Sequence, residues 1–94
     1  MPGVAYRASI SSGACGHPPS GPSSWSGDVF ANSQNVVRQG DTFEVHPDLF
    51  HPGRAVASGS STVFANSRQL ARISDPINCG DTIATGSSDV IAGG

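Results

Sequence analysis

Lysine is absent from the 94 residues, and the five arginines stand apart from one another along the chain. No basic stripe can be drawn from them, which argues against nucleic acid as a partner; the formal net charge is −2. Long apolar runs are missing too, and none approaches the roughly 18 residues that a bilayer-spanning helix needs. The start, Met1-Pro2-Gly3-Val4, has no basic segment leading into an apolar one. Synthesis in the cytoplasm without a signal peptide is therefore expected, and any work outside the cell would need another machine as carrier. Cysteine is limited to Cys15 and Cys79, so at most one disulfide can form, a thin framework for a secreted scaffold. No strand-turn-helix nucleophile elbow accompanies the many serines, and Ser-rich loops without one do not point to a hydrolase.

Apolar bulk is scarce as well. Hydrophobic residues make up 36% of the chain, aromatic side chains number six, and twelve glycines and seven prolines dilute the remainder. A chain of this length forms one domain, residues 1–94, and buries only about two-thirds of the surface it exposes when unfolded. Glycine is costly to order, and burial against conformational entropy comes out near zero for such compositions. A disulfide, a metal or a partner must supply the difference.

What the sequence does contain is a repeat. Trp25-Ser26-Gly27-Asp28-Val29-Phe30-Ala31-Asn32-Ser33 returns as Gly59-Ser60-Ser61-Thr62-Val63-Phe64-Ala65-Asn66-Ser67, at an offset of 34 (64 − 30) that also relates Arg38 to Arg72 and Asp41 to Asp75. A third copy, Gly86-Ser87-Ser88-Asp89-Val90-Ile91-Ala92-Gly93, follows at an offset of 27 (90 − 63). Val4-Ala5-Tyr6-Arg7 reads as the tail half of the same unit. Each unit reads as a hairpin: a small-residue turn, a Val-Phe-Ala strand, an Asn-Ser turn, and a second run such as Asn35-Val36-Val37-Arg38 or Gln69-Leu70-Ala71-Arg72, with strands of four or five residues. Asn tolerates the left-handed conformation such a turn requires, and Ser does so less well. No window sustains a helical period. The chain is thus expected to be all-β and loop-rich. Three quasi-equivalent units suit an approximately three-fold body seated on a three-fold partner.

All three histidines precede proline: His17-Pro18, His46-Pro47 and His51-Pro52. Proline restricts its predecessor to extended backbone, which lowers the entropy cost of assembling a ligand set. Three neutral imidazoles and one thiolate satisfy Zn²⁺ as a closed tetrahedron. Such a site closes long loops, where a cross-link removes most unfolded-chain entropy, and its binding energy is folding energy. From spacing alone, a Cys15–Cys79 disulfide is the chief rival, Cys15 could take one ligand position, and Asp48 is a weaker substitute.

The order of these elements resembles the PAAR-repeat proteins, the tips of type VI secretion spikes and of contractile phage tails. The family's Pro-Ala-Ala-Arg motif, usually followed closely by Asp, is similar to Asn35-Val36-Val37-Arg38-Gln39-Gly40-Asp41 and Gln69-Leu70-Ala71-Arg72-Ile73-Ser74-Asp75. The opening Pro2-Gly3-Val4-Ala5-Tyr6-Arg7, the segment from Ile10 to Pro19, and the repeated Val-Phe-Ala-Asn also fit. Departures are the lost Pro of both internal motifs, Ser33 and Ser67 where the family often has Gly, and no Asp after the first Arg, around Ala8 and Ser9. The resemblance implies a small cone of short antiparallel strands with a pseudo-three-fold arrangement. It also implies a structural Zn²⁺ near the vertex, held by His17, His46, His51 and Cys79. Val29, Phe30, Val63, Phe64, Val90 and Ile91 would then lie near the base. There one tip meets one trimeric β-helical spike protein, of the VgrG type or from a phage baseplate. The implied role is piercing: no catalysis, transient contact with a target membrane, and effector cargo as a further partner. Delivery is then outside the cell at the spike tip, or into a phage virion tail. The competing function is a zinc-binding envelope adhesin with no spike partner, for which only Trp25 and Tyr6 offer aromatic contact.

Overall fold

Each Val-Phe-Ala-Asn-Ser stretch folds back on itself in the computed structural model, which describes residues 2–13, 19–44, 55–78 and 80–93. Strand β1 (Phe30–Ala31) pairs with β2 (Gln34–Asn35), and β3 (Phe64–Ala65) pairs with β4 (Arg68–Gln69), both antiparallel. The registers match: Phe30 opposite Asn35, and Phe64 opposite Gln69. No helix occurs among the described residues, and hence none long and apolar enough to cross a membrane.

Two residues close each hairpin, and both sit in left-handed backbone: Asn32 at φ 52° and Ser33 at φ 64°, Asn66 at φ 53° and Ser67 at φ 65°. This is the geometry whose twist matches that of the flanking strands, and it favours Asn followed by Gly. Serine at the second position carries the Cβ penalty of left-handed backbone, of order 1 kcal/mol. Ser33→Gly and Ser67→Gly are each expected to stabilise the fold by about 0.5–1 kcal/mol, a rise of several degrees in Tm for a domain of this size. Thermal melting checks it; an unchanged or lowered Tm in both variants contradicts the strain.

The third copy of the repeat is completed by the other end of the chain. Ile91 pairs antiparallel with Gly3, and Val4 N–H donates to the Val90 carbonyl at 2.8 Å. The same bond runs from Val36 to Val29 and from Leu70 to Val63, each at 3.0 Å. The expected tail-half unit at the N-terminus is therefore present, joined to the third copy in space.

The expected strands of four or five residues are instead two residues long, because each segment changes partner as it leaves its hairpin. Val36 pairs with Tyr6, Arg38 with Leu70, and Arg72 with Val4. Between these pairs the backbones of Ala5, Val37 and Ala71 close a triangle: Ala5 N–H donates to Ala71 O (2.9 Å), Ala71 N–H to Val37 O (2.9 Å), and Val37 N–H to Ala5 O (3.0 Å). All three residues are fully buried. A second set of bonds runs outside the triangle, from Arg7 to Asn35, Gln39 to Gln69 and Ile73 to Gly3, each at 2.8 Å.

Two small apolar clusters lie along this arrangement. Val4, Ala31, Val36, Ala65, Leu70 and Ala92 pack beneath the hairpins, with Val29 and Tyr6 partly buried against them. Phe43, Val56, Ile77 and Ile83 pack with the triangle residues further along each segment. The molecule measures 33 × 23 × 22 Å, with two nearly equal short axes.

Candidate functional site

Beyond the triangle, each segment makes a tight turn fixed by a side chain three residues on. Arg38 N–H donates to Asp41 Oδ2 at 2.7 Å, and the guanidinium grips the same carboxylate twice at 2.9 Å, through Nε and Nη2. Arg72 and Asp75 repeat this, with 2.8 Å from the backbone and 2.9 Å for both guanidinium bonds. Asp41 is buried and also accepts from Ser24 Oγ at 3.0 Å and Arg68 Nη2 at 3.4 Å. Burial pushes the Asp41 carboxyl up, but the Arg38 hydrogen bonds, with Ser24 and the Arg38 charge, outweigh it and leave it below the ordinary value. The first segment has no such ion pair. Tyr6 stands where the arginines stand, and Tyr6 N–H donates to Ser9 Oγ at 2.9 Å. The carboxylate missing around Ala8 and Ser9 is thus replaced by a buried hydroxyl.

Three serines govern the hairpin end. Ser26, Ser60 and Ser87 are buried, and each hydroxyl accepts from the N–H groups two and three residues later. Each also donates to a neighbouring unit: Ser26 to Asn66 Oδ1 at 2.6 Å, Ser87 to Asn32 Oδ1, and Ser60 to Gly93 O. The Asn side chains complete two of these junctions. Asn66 Nδ2 donates to Asp28 Oδ1 at 2.9 Å, and Asn32 Nδ2 to Asp89 Oδ1 at 2.8 Å. Every unit is thereby bonded to the next, and the cycle closes. Sequence reasoning saw these serines only as small turn residues, although their recurrence at offsets 34 (60 − 26) and 27 (87 − 60) is the signal that could have found them.

The outward face of this end is apolar. Phe30 and Phe64 are 56% exposed and Ile91 is 54% exposed, at matching positions of the three units. Val63 and Val90 are exposed beside them, while Val29 is half-buried against the cluster below. Phe30 and Phe64 point outward because the alanines that follow them, Ala31 and Ala65, take the inward positions of two-residue strands.

His17, His46, His51 and Cys79 all lie outside the described residues, as do Cys15 and Asp48. Among the described residues no three His, Cys, Asp or Glu side chains converge as a metal site. The roots of the stretches that carry these side chains are described, and they are bonded to one another. Ser12 N–H donates to Thr82 O (2.9 Å), Asn78 N–H to Ala55 O (2.9 Å), and Glu44 N–H to Gly21 O (2.9 Å). Side chains reinforce each join: Asp81 Oδ2 accepts from Gly13 N–H at 3.2 Å, Asn78 Oδ1 from Ala55 N–H at 3.2 Å, and Glu44 O from Ser20 Oγ at 3.3 Å. Asp81 is fully buried, and it also accepts from Ser12 Oγ. These three joins link described residues that flank the stretches holding the histidines and cysteines.

Among the described residues the chain is therefore a set of short antiparallel pairs without a helix, with an apolar face at its hairpin end. The chain matches the PAAR motif family over residues 20–85 and belongs to it. That family forms the spike tips of type VI secretion systems and phage tails and is structural, not catalytic; the chain is not an enzyme. Membership implies a spike-tip role. No curated protein matches the chain.

Proposed function

We propose that residues 1–94 form one zinc-stabilised tip domain that seats its hairpin face on the end of a trimeric β-helical spike, one tip per trimer, and sharpens that spike for piercing a target membrane. The seat is approximately three-fold. The observation that carries it is the triangle of Ala5, Val37 and Ala71, in which three segments occupy equivalent places and each donates to the next. Three matching corners, Phe30, Phe64 and Ile91, suit a partner with three equal subunits. Val29, Val63 and Val90 extend the same apolar area, and a spike end would shield it from water. The spike is of the VgrG type or belongs to a phage baseplate; delivery is outside the cell at the spike tip or into a virion tail, and effector cargo is a further partner.

Zinc is assigned to His17, His46, His51 and Cys79. Hydrogen bonds of Ser12 with Thr82, Asn78 with Ala55 and Glu44 with Gly21 support this set, since they join described residues that flank the stretches carrying the four ligands. Three imidazoles and a thiolate complete a tetrahedron with no position left for water, so the metal would cross-link rather than react. Its chemistry there is rigidity at the point where a contracting machine concentrates force.

Docking is tested by capture of the purified chain on the isolated β-helical trimer of a VgrG-type spike, and in parallel of a phage baseplate spike. The wild-type chain is expected to bind one of them at one tip per trimer. A Phe30→Ala, Phe64→Ala double variant, whose truncated side chains are already exposed, is expected to keep its Tm and lose at least about tenfold in affinity. Binding of the wild type to isolated envelope material and to neither trimer overturns this reading in favour of an adhesin.

A further inference from the structure

The hairpin face is apolar at its three corners, but the charge around it is not balanced. Two residues before the exposed Phe30 and Ile91 stand Asp28 and Asp89, both exposed; the equivalent residue before Phe64 is Thr62. Each carboxylate is fixed through one oxygen only: Oδ1 of Asp28 accepts from Asn66 and Ser26, and Oδ1 of Asp89 from Asn32 and Ser87. The second oxygen of each has no partner among the described residues. Hydrogen bonds from Asn66 and then Ser26 hold Asp28 below the ordinary carboxylate value, and Asn32 and then Ser87 do the same for Asp89, so both groups stay charged.

No described cation forms an ion pair with either carboxylate; the Arg38 charge reaches Asp28 only through space, and Arg38 Nη1 donates to Asn66 Oδ1 at 3.1 Å. Arg38 and Arg72 are committed to Asp41 and Asp75, Arg68 reaches Asp41, and Arg7 lies over the Trp25 ring at 4.5 Å. A partner that covered this face with apolar or acidic groups would strip water from two fixed, half-bonded carboxylates without replacing it, which is costly. A partner bearing cations there would find acceptors whose orientation is already set, so little ordering entropy is lost on docking.

Resting on the reading that this face seats on a trimeric spike, we infer that each subunit of the spike end presents an arginine or lysine at its corner. Two of these pair with Asp28 and Asp89, and the third faces Thr62. Charge complementarity of this kind steers encounter and fixes the seat more than it adds raw affinity, and it fades as salt rises.

The test titrates the isolated spike trimer with the full chain at about 50 mM and about 500 mM salt, conditions that bracket strong and weak screening. The wild type is expected to bind more weakly at high salt. The isosteric Asp28→Asn, Asp89→Asn double variant keeps the Oδ1 acceptors of both junctions; it is expected to bind about tenfold more weakly at low salt and to lose most of the salt dependence. Thr62→Asp, which disturbs neither Asn junction, is expected to bind about threefold more tightly at low salt. An unchanged affinity and salt slope in the double variant at wild-type Tm overturns the inference, and so does an unchanged or weakened affinity of Thr62→Asp. Either result with wild-type binding intact leaves the docking reading standing, whereas a wild-type chain that binds no trimer defeats the docking reading itself.

Discussion

Stripping zinc from the purified chain with a chelator is expected to lower its Tm by tens of degrees, or to unfold it at room temperature. Among the described residues the largest fully buried apolar side chains are Phe43, Ile77 and Ile83, and most of the remaining core positions are alanine and valine. Domains of ordinary composition keep only about 5–15 kcal/mol of net stability, and this chain begins with less apolar area than they do. Closed zinc sites in small peptides contribute about 10 kcal/mol or more of apparent folding energy near neutral pH. Each kcal/mol is worth about 4–8 °C in a domain of this size. His46→Ala or His51→Ala should act in the same direction, lowering Tm by at least about 10 °C and cutting the bound zinc well below one ion per chain. Differential scanning calorimetry with metal analysis reads both. A chelated chain that melts with the untreated one, and whose Tm falls instead on reduction, assigns the cross-link to a Cys15–Cys79 disulfide.

The architecture was legible where the repeat kept its residue types. Val-Phe-Ala-Asn-Ser at a fixed offset located both hairpins, because Asn and Ser at adjacent positions between strand formers leave the chain little else to do. The apolar residues that the family resemblance places near the base recur in all three copies of the repeat, and five of those six are exposed at the hairpin end. What stayed hidden is long-range. Nothing local tells Val36, Arg38 or Arg72 to exchange partners after two residues; that depends on three distant segments meeting at Ala5, Val37 and Ala71. Ser9 was invisible as a stand-in for aspartate, since only its bond to Tyr6 N–H reveals the equivalence. Ser74, at φ 77°, was equally silent; it occupies the left-handed turn position that Gly40 fills between Arg38 and Asp41. The ligand set came from residue chemistry and family resemblance, and its four residues lie outside the described part of the structure.

Replacing Asp41 by alanine is expected to destabilise the fold by about 3–5 kcal/mol, the range for removing one partner of a buried, hydrogen-bonded ion pair. The Arg38 guanidinium and backbone N–H and the Ser24 hydroxyl all converge on that carboxylate. Alanine would remove the acceptor these donors share and leave the Arg38 guanidinium only Asn66 Oδ1 at 3.1 Å and the Trp25 carbonyl at 3.2 Å. Asp41→Asn keeps an oxygen in place and should lose less, about 1–3 kcal/mol. The pH dependence has a definite sign. The folded carboxyl is held below its ordinary value, so its contribution is complete above the normal aspartate range near pH 4 and is lost as pH falls through the lowered folded value. Wild-type Tm should therefore drop on acidification below about pH 4, and the Asp41→Asn variant should show a shallower dependence in that window. Urea unfolding at neutral pH and melting between pH 2 and pH 5 measure the two effects. An Asp41→Ala chain as stable as the wild type would mean that the turn between the triangle and the loop roots holds its shape without the ion pair. The rigidity proposed for the tip would then have to come from the proposed metal and spike seat alone.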